Sequence, residues 1–96
     1  MLVQFSVFPF GAGVSIRRHV ARAIEEVERS GLRYRLTDMG TILEGDWDPV
    51  MKVLKAVQDR LLGQTDRVYM TITIDARKDK AAGIHSKVQA VEPRSA

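Results

Sequence analysis

Hydrophobic and polar positions along this chain switch between two periods. Val3, Phe5 and Val7 alternate with Gln4, Ser6 and Phe8 before Pro9, and a repeat of two predicts a first strand over Leu2 to Phe8. A glycine-bearing stretch, Phe10-Gly11-Ala12-Gly13-Val14, leads to Ser15, an N-cap type residue for a helix beginning at Ile16. Ile16, Val20, Ala23, Ile24 and Val27 recur at helical spacing, with Arg17, Arg18, Arg22, Glu25, Glu26 and Arg29 around the rest of the cylinder. Ser30-Gly31 closes that helix, Gly31 standing where a left-handed C′ residue is wanted. A second strand is expected from about Arg33 to Asp38. Met39-Gly40 then turns tightly into the strand Gly40 to Glu44, so the two form a hairpin. Asp48-Pro49 reads as an N-cap followed by proline in the first turn, where the missing N–H costs nothing. Val50, Val53, Leu54, Val57 and Leu61 make a second stripe, closed by Gly63. The last clear strand, Arg67 to Asp75, points Val68, Met70, Ile72 and Ile74 one way and Tyr69, Thr71, Thr73 and Asp75 the other. Beyond it, Ala76 to Gly83 reads as a charged loop. Ile84, Val88 and Val91 fit a short helix, while Ile84, Val88 and Ala90 fit a strand.

Strand, helix, strand, strand, helix, strand predicts an α+β ferredoxin-like sandwich: a four-stranded antiparallel sheet with two helices on one face. A chain of 96 residues makes one domain, expected over 1–92, with a short C-terminal extension and residues 93–96 frayed. A domain this size buries only about 60–65% of its unfolded surface, so self-association is an ordinary way to add to it. The apolar 45% and charged 28% are those of a globular protein.

Charge and residue chemistry exclude more than they assign. The net charge of +3 is interspersed, and the densest basic patch, Arg77-Lys78-Asp79-Lys80, contains an acid. RNA-binding versions of this element order need aromatics on the central strands, and Thr41 to Glu44 has none, so no nucleic-acid partner is expected. With no cysteine there is no disulfide framework, thiolate metal site or cysteine nucleophile. The first ten residues alternate like a strand, not like a signal peptide, and no apolar run approaches the roughly 20 residues of a membrane span. A cytoplasmic location follows. His19 and His85 lack metal-ligand spacing and read as surface residues, so no metal or cofactor is implied. Ser6, Ser15, Ser30 and Ser86 have no nucleophile elbow or adjacent base, so the chain is not expected to be an enzyme. Gly11-Ala12-Gly13 before a helix could cradle an anion, but no Gly-Lys-Ser/Thr follows; a crossover needing glycine for its turns is the simpler reading.

Two features hold more. If the helices cover the face carrying Val3, Phe5 and Val7, the other face carries Gln4, Ser6 and Phe8 beside Tyr69, Thr71, Thr73 and Asp75. Threonine is common on strands for its β-branch alone. As a set, though, hydroxyls, an amide and two rings suit a partly buried surface that a second protomer or a polar aromatic ligand would cover. Glu44 is the single charge in the Gly40–Gly45 run, and a buried carboxylate needs a partner, either a protein donor or a ligand. Trp47 follows it as a plug for the core's end or as an aromatic wall, with Phe8 or Tyr34 opposite.

Several segments together resemble a known family. They are Ser6-Val7-Phe8-Pro9, Ser30-Gly31-Leu32-Arg33-Tyr34, Met39-Gly40-Thr41-Ile42-Leu43-Glu44-Gly45, Asp66-Arg67-Val68, Thr71-Ile72-Thr73-Ile74-Asp75-Ala76-Arg77 and Lys87-Val88. The resemblance is to the small ferredoxin-like thiamine-binding proteins and spans essentially the whole chain. It implies a homo-oligomer, dimer or tetramer, that binds thiamine or its hydroxymethylpyrimidine part without altering it. On that implication Glu44 accepts from the aminopyrimidine edge, and Ser6, Thr41 or Thr71 complete its hydrogen bonds. Phe8, Tyr34 or Trp47 then faces the cationic thiazolium. The alternative is an oligomeric regulatory or interaction module whose open face serves assembly, with some other small ligand such as an amino acid.

Overall fold

The computed structural model describes residues 1–10 and 16–78. The expectations for the glycine loop and Ser15, for the tail and for frayed residues 93–96 lie outside that range. Six elements follow in the expected order: β1 (Leu2–Phe10), α1 (Ile16–Ser30), β2 (Arg33–Thr37), β3 (Gly40–Glu44), α2 (Trp47–Leu62) and β4 (Arg67–Asp75). The sheet runs β2-β3-β1-β4 with every neighbour antiparallel, the topology of a ferredoxin-like α+β sandwich. Register is fixed across the sheet: Val3 stands opposite both Leu43 and Ile74, and Phe5 opposite both Thr41 and Ile72.

The core lies between the sheet and the helices. Val3, Phe5 and Leu43 meet Ala23 and Val27 of α1 and Val50, Val53, Leu54, Val57 and Leu61 of α2. The stripe of α2 is buried as its spacing predicts, at roughly 1.5–3 kcal/mol for each large apolar side chain. Arg60 ties the two helices together, pairing with Glu25 and donating to the Arg22 carbonyl. Val68 and Met70 of β4 pack partly under this roof, whereas Ile72 and Ile74 on the same face stay half exposed.

Four local expectations are corrected. β1 continues through Pro9 to Phe10. Pairing with β3 reaches only Phe5, and among the described residues no strand pairs with that side of β1 beyond it, where a residue without an N–H is tolerated. Next, α1 turns His19 inward instead of Val20: His19 is 1% exposed and shares the buried stripe with Ala23 and Val27, four residues apart. Thirdly, β2 ends at Thr37, leaving Asp38-Met39 as the hairpin loop. The Thr37 hydroxyl accepts from the Met39 N–H (3.2 Å) and donates to the Gly40 carbonyl (2.8 Å), holding that loop. Lastly, α2 begins at Trp47 with Asp46 at the N-cap, so Asp48 and Pro49 both fall in its first turn. Gly31 takes φ +75° as expected of a C′ glycine.

Candidate functional site: the open face of the sheet

Alternation assigns each sequence-predicted residue to a face, and the register then sets its distance from the others. Leu2, Gln4, Ser6, Phe8 and Phe10 share the uncovered face of β1. Opposite them on β4 stand, in turn, Asp75, Thr73, Thr71, Tyr69 and Arg67. On the other side Leu2 is opposite Glu44 and Gln4 is opposite Ile42; Arg33 and Arg35 extend those two rows onto β2. The face is thus a series of rows about 6.8 Å apart, two residues per step.

One end of this face is acidic. Asp75, Leu2, Glu44 and Arg33 form a single row. Glu44 is not a stranded carboxylate: its Oε1 lies 3.6 Å from Nη1 of Arg33, on the same face of the adjoining strand. Because Arg33 is largely exposed, this pair is worth about 0–1 kcal/mol. Of the two partners a buried carboxylate could take, a protein donor or a ligand, Glu44 thus has the first within its own chain.

The other end is aromatic. Ser6 is paired with Thr71, Phe8 with Tyr69 and Phe10 with Arg67. Phe8 and Tyr69 are each 49% exposed and Phe10 is 45%, so three large rings stand together on a face no described element covers. The Arg67 guanidinium lies over the Phe10 ring, 5.0 Å from its centroid. The Ser6 hydroxyl donates to the Met39 carbonyl (2.7 Å), which fixes its oxygen at the mouth of the β2–β3 hairpin and leaves a lone pair for a donor.

Of the seven predicted site residues, the structure gathers Ser6, Phe8 and Thr71. Glu44 shares their face, but Leu2, its neighbour, is four residues from Ser6, about 13 Å along the strand. Thr41 and Tyr34 belong to the helix-covered face, opposite Phe5 and Leu43 respectively. The Tyr34 hydroxyl donates to a Glu28 carboxylate oxygen (3.4 Å) across that layer. Trp47 heads α2 and is 56% exposed. Three residues of the aromatic end were missed. Tyr69 was legible as an open-face position. Phe10 and Arg67 were hidden because Pro9 reads as the strand's terminus, which removes the last row.

A concavity of about 700 Å³ lies between the helices, lined by Glu26, Arg29, Leu32, Asp48 and Lys52 among others. None of the seven residues lines it, and Arg29 already pairs with Glu26 on its rim. Among the described residues no group of three or more His, Cys, Asp or Glu converges on a metal site. No described helix is long and apolar enough to cross a membrane.

Comparison with known proteins agrees with this architecture. A family model described as thiamine-binding protein matches residues 3–92. A UPF0045 protein of Methanocaldococcus jannaschii is 36% identical over 91 residues, covering 95% of this chain and 91% of the relative. The crystal structure of a hypothetical protein from that archaeon superposes with a TM-score of 0.85 at 37% identity, covering 94% of this chain and 93% of the other. A crystal structure from Thermotoga maritima, of a protein provisionally assigned to thiamine biosynthesis or salvage, gives a TM-score of 0.79 at 25% identity, covering 95% and 97%. With the fold, the register and these matches in hand, the chain belongs to the thiamine-binding protein family.

Proposed function

We propose that this chain binds thiamine or its hydroxymethylpyrimidine part without catalysis, as a carrier, buffer or sensor, and that it does so as a self-associated dimer or tetramer in the cytoplasm. The observation that supports it most is the aromatic end of the open face: hydroxyls at Ser6 and Thr71 beside half-exposed Phe8 and Tyr69. In this reading the hydroxyl row hydrogen-bonds the aminopyrimidine. The rings face the thiazolium cation, an interaction worth roughly 0.5–2 kcal/mol according to desolvation. Glu44 reaches such a ligand from a second copy, since within one protomer it stands two rows away. Family membership and a relative provisionally assigned to thiamine metabolism support the ligand class.

A thermal-shift series with thiamine, hydroxymethylpyrimidine and amino acids tests the reading, with light scattering for assembly. A micromolar ligand at millimolar concentration stabilises the fold by about 4 kcal/mol. Stabilisation by thiamine or its pyrimidine supports the proposal, and silence toward both overturns it. The second reading, assembly alone, draws on the same exposed rings and on the Arg33–Glu44 pair, which gives that carboxylate a counter-charge in its own chain without a guest. A stable oligomer that responds to an amino acid and not to thiamine would favour it.

A further inference from the structure

We infer that Arg67 reads a phosphate, and that the ligand this face is built for is the phosphate ester of an aromatic cation of the thiamine type. The inference rests on the binding site proposed above and specifies its substrate class. Three successive rows of the open face carry, in order, hydroxyls (Ser6 and Thr71), aromatic rings (Phe8 and Tyr69) and a cation (Arg67 beside Phe10). Each row lies about 6.8 Å from the next. Thiamine presents complementary groups in the same sequence. An aminopyrimidine is joined through one methylene to a cationic thiazolium, which bears a two-carbon arm ending in an alcohol. With the pyrimidine at the hydroxyl row and the thiazolium at the rings, that arm ends at the last row. A free alcohol gains little from a guanidinium there. A phosphate gains charge-assisted hydrogen bonds to a planar fork that suits its oxygens.

Arg67 is also in a state that suits this role. Arg29, Arg33, Lys55, Arg60 and Arg77 each hold a carboxylate. Among the described residues Arg67 forms no ion pair, and its guanidinium lies over the Phe10 ring. The ring contact orients the guanidinium, and no carboxylate among the described residues takes up its N–H groups. The cation is thus pre-positioned and unneutralised at the end of the face to which the ligand's arm points. Phe10 is a positioning residue in this scheme.

Calorimetric titration of thiamine and of thiamine monophosphate into wild type, Arg67→Gln, Arg67→Lys and Arg17→Gln tests it, Arg17 being an exposed cation on the helical layer. The readout is the ratio of the two affinities within each protein, which partial unfolding of a variant does not change. Wild type should prefer the phosphate ester roughly tenfold, the lower end for hydrogen bonds to a charged group. That ratio should fall to near one in Arg67→Gln, lie between in Arg67→Lys, and persist in Arg17→Gln. A wild-type ratio near one, or a preference that survives Arg67→Gln, overturns the inference while thiamine binding itself stands. If neither form binds, the proposed site falls, and the inference falls with it.

Discussion

Adding one methyl group at Gly40 should do disproportionate damage to this fold. Gly40 opens β3 at the point where it draws against β1, and its φ is +151°. A Cβ there would lie 2.7 Å from the Phe5 carbonyl oxygen and 2.8 Å from Ser6 Oγ. An L-residue in left-handed backbone costs about 1–2 kcal/mol. Relieving the overlap adds roughly 1–3 kcal/mol, because the nearest atom is backbone and yields only if β1 and β3 part. Together Gly40→Ala should cost about 2–5 kcal/mol out of a total near 5–15. In a domain of this size each kcal/mol moves the midpoint by about 4–8 °C, so the melting temperature should drop by at least roughly 8 °C. Chemical denaturation followed by circular dichroism gives the free energy directly. The double variant Ser6→Ala/Gly40→Ala separates the two contacts: it removes Oγ and leaves the Phe5 carbonyl, so it should recover less than half of the loss. A Gly40→Ala protein melting within about 4 °C of wild type would refute both the strain and the register at this strand pair.

Three further outcomes follow from other residues. Neither ring nitrogen of buried His19 has a hydrogen-bond partner among the described residues, so His19→Leu should stabilise the fold by about 1–3 kcal/mol in urea titration; a loss of stability would show that the imidazole is satisfied. Tyr34 faces the helical layer, bonded to Glu28, so Tyr34→Phe should leave thiamine affinity within about twofold, at a cost near 1 kcal/mol of stability. A weakened affinity would put Tyr34 back in the site. Glu44→Gln should weaken thiamine binding roughly tenfold if a second copy delivers this carboxylate; equal affinities in calorimetry remove Glu44 from the site.

How much of this was legible in the sequence depended on how local the deciding interactions are. The buried stripe of α2 and the span of β4 came directly from periodicity, because each element's own pattern determines which face it hides. His19 did not: Val20 is the more apolar candidate, but packing chose the rotation that lines up positions 19, 23 and 27. The end of β1 was lost because proline is a terminator only where its N–H is needed, and whether a neighbour strand lies there is a tertiary fact. The candidate site divided in the same way. Alternation placed Ser6, Phe8 and Thr71 on one face. The distance from Glu44, its pairing with Arg33, and the row that sets Arg67 against Phe10 all depend on register between strands far apart in sequence.

Titration calorimetry of thiamine into wild type and Phe8→Ala puts the open-face account to its most direct test. Saturable binding at one site per protomer, weakened at least roughly tenfold by loss of this ring, is the predicted result. Undiminished affinity in Phe8→Ala, or no saturable heat at millimolar thiamine, would contradict it.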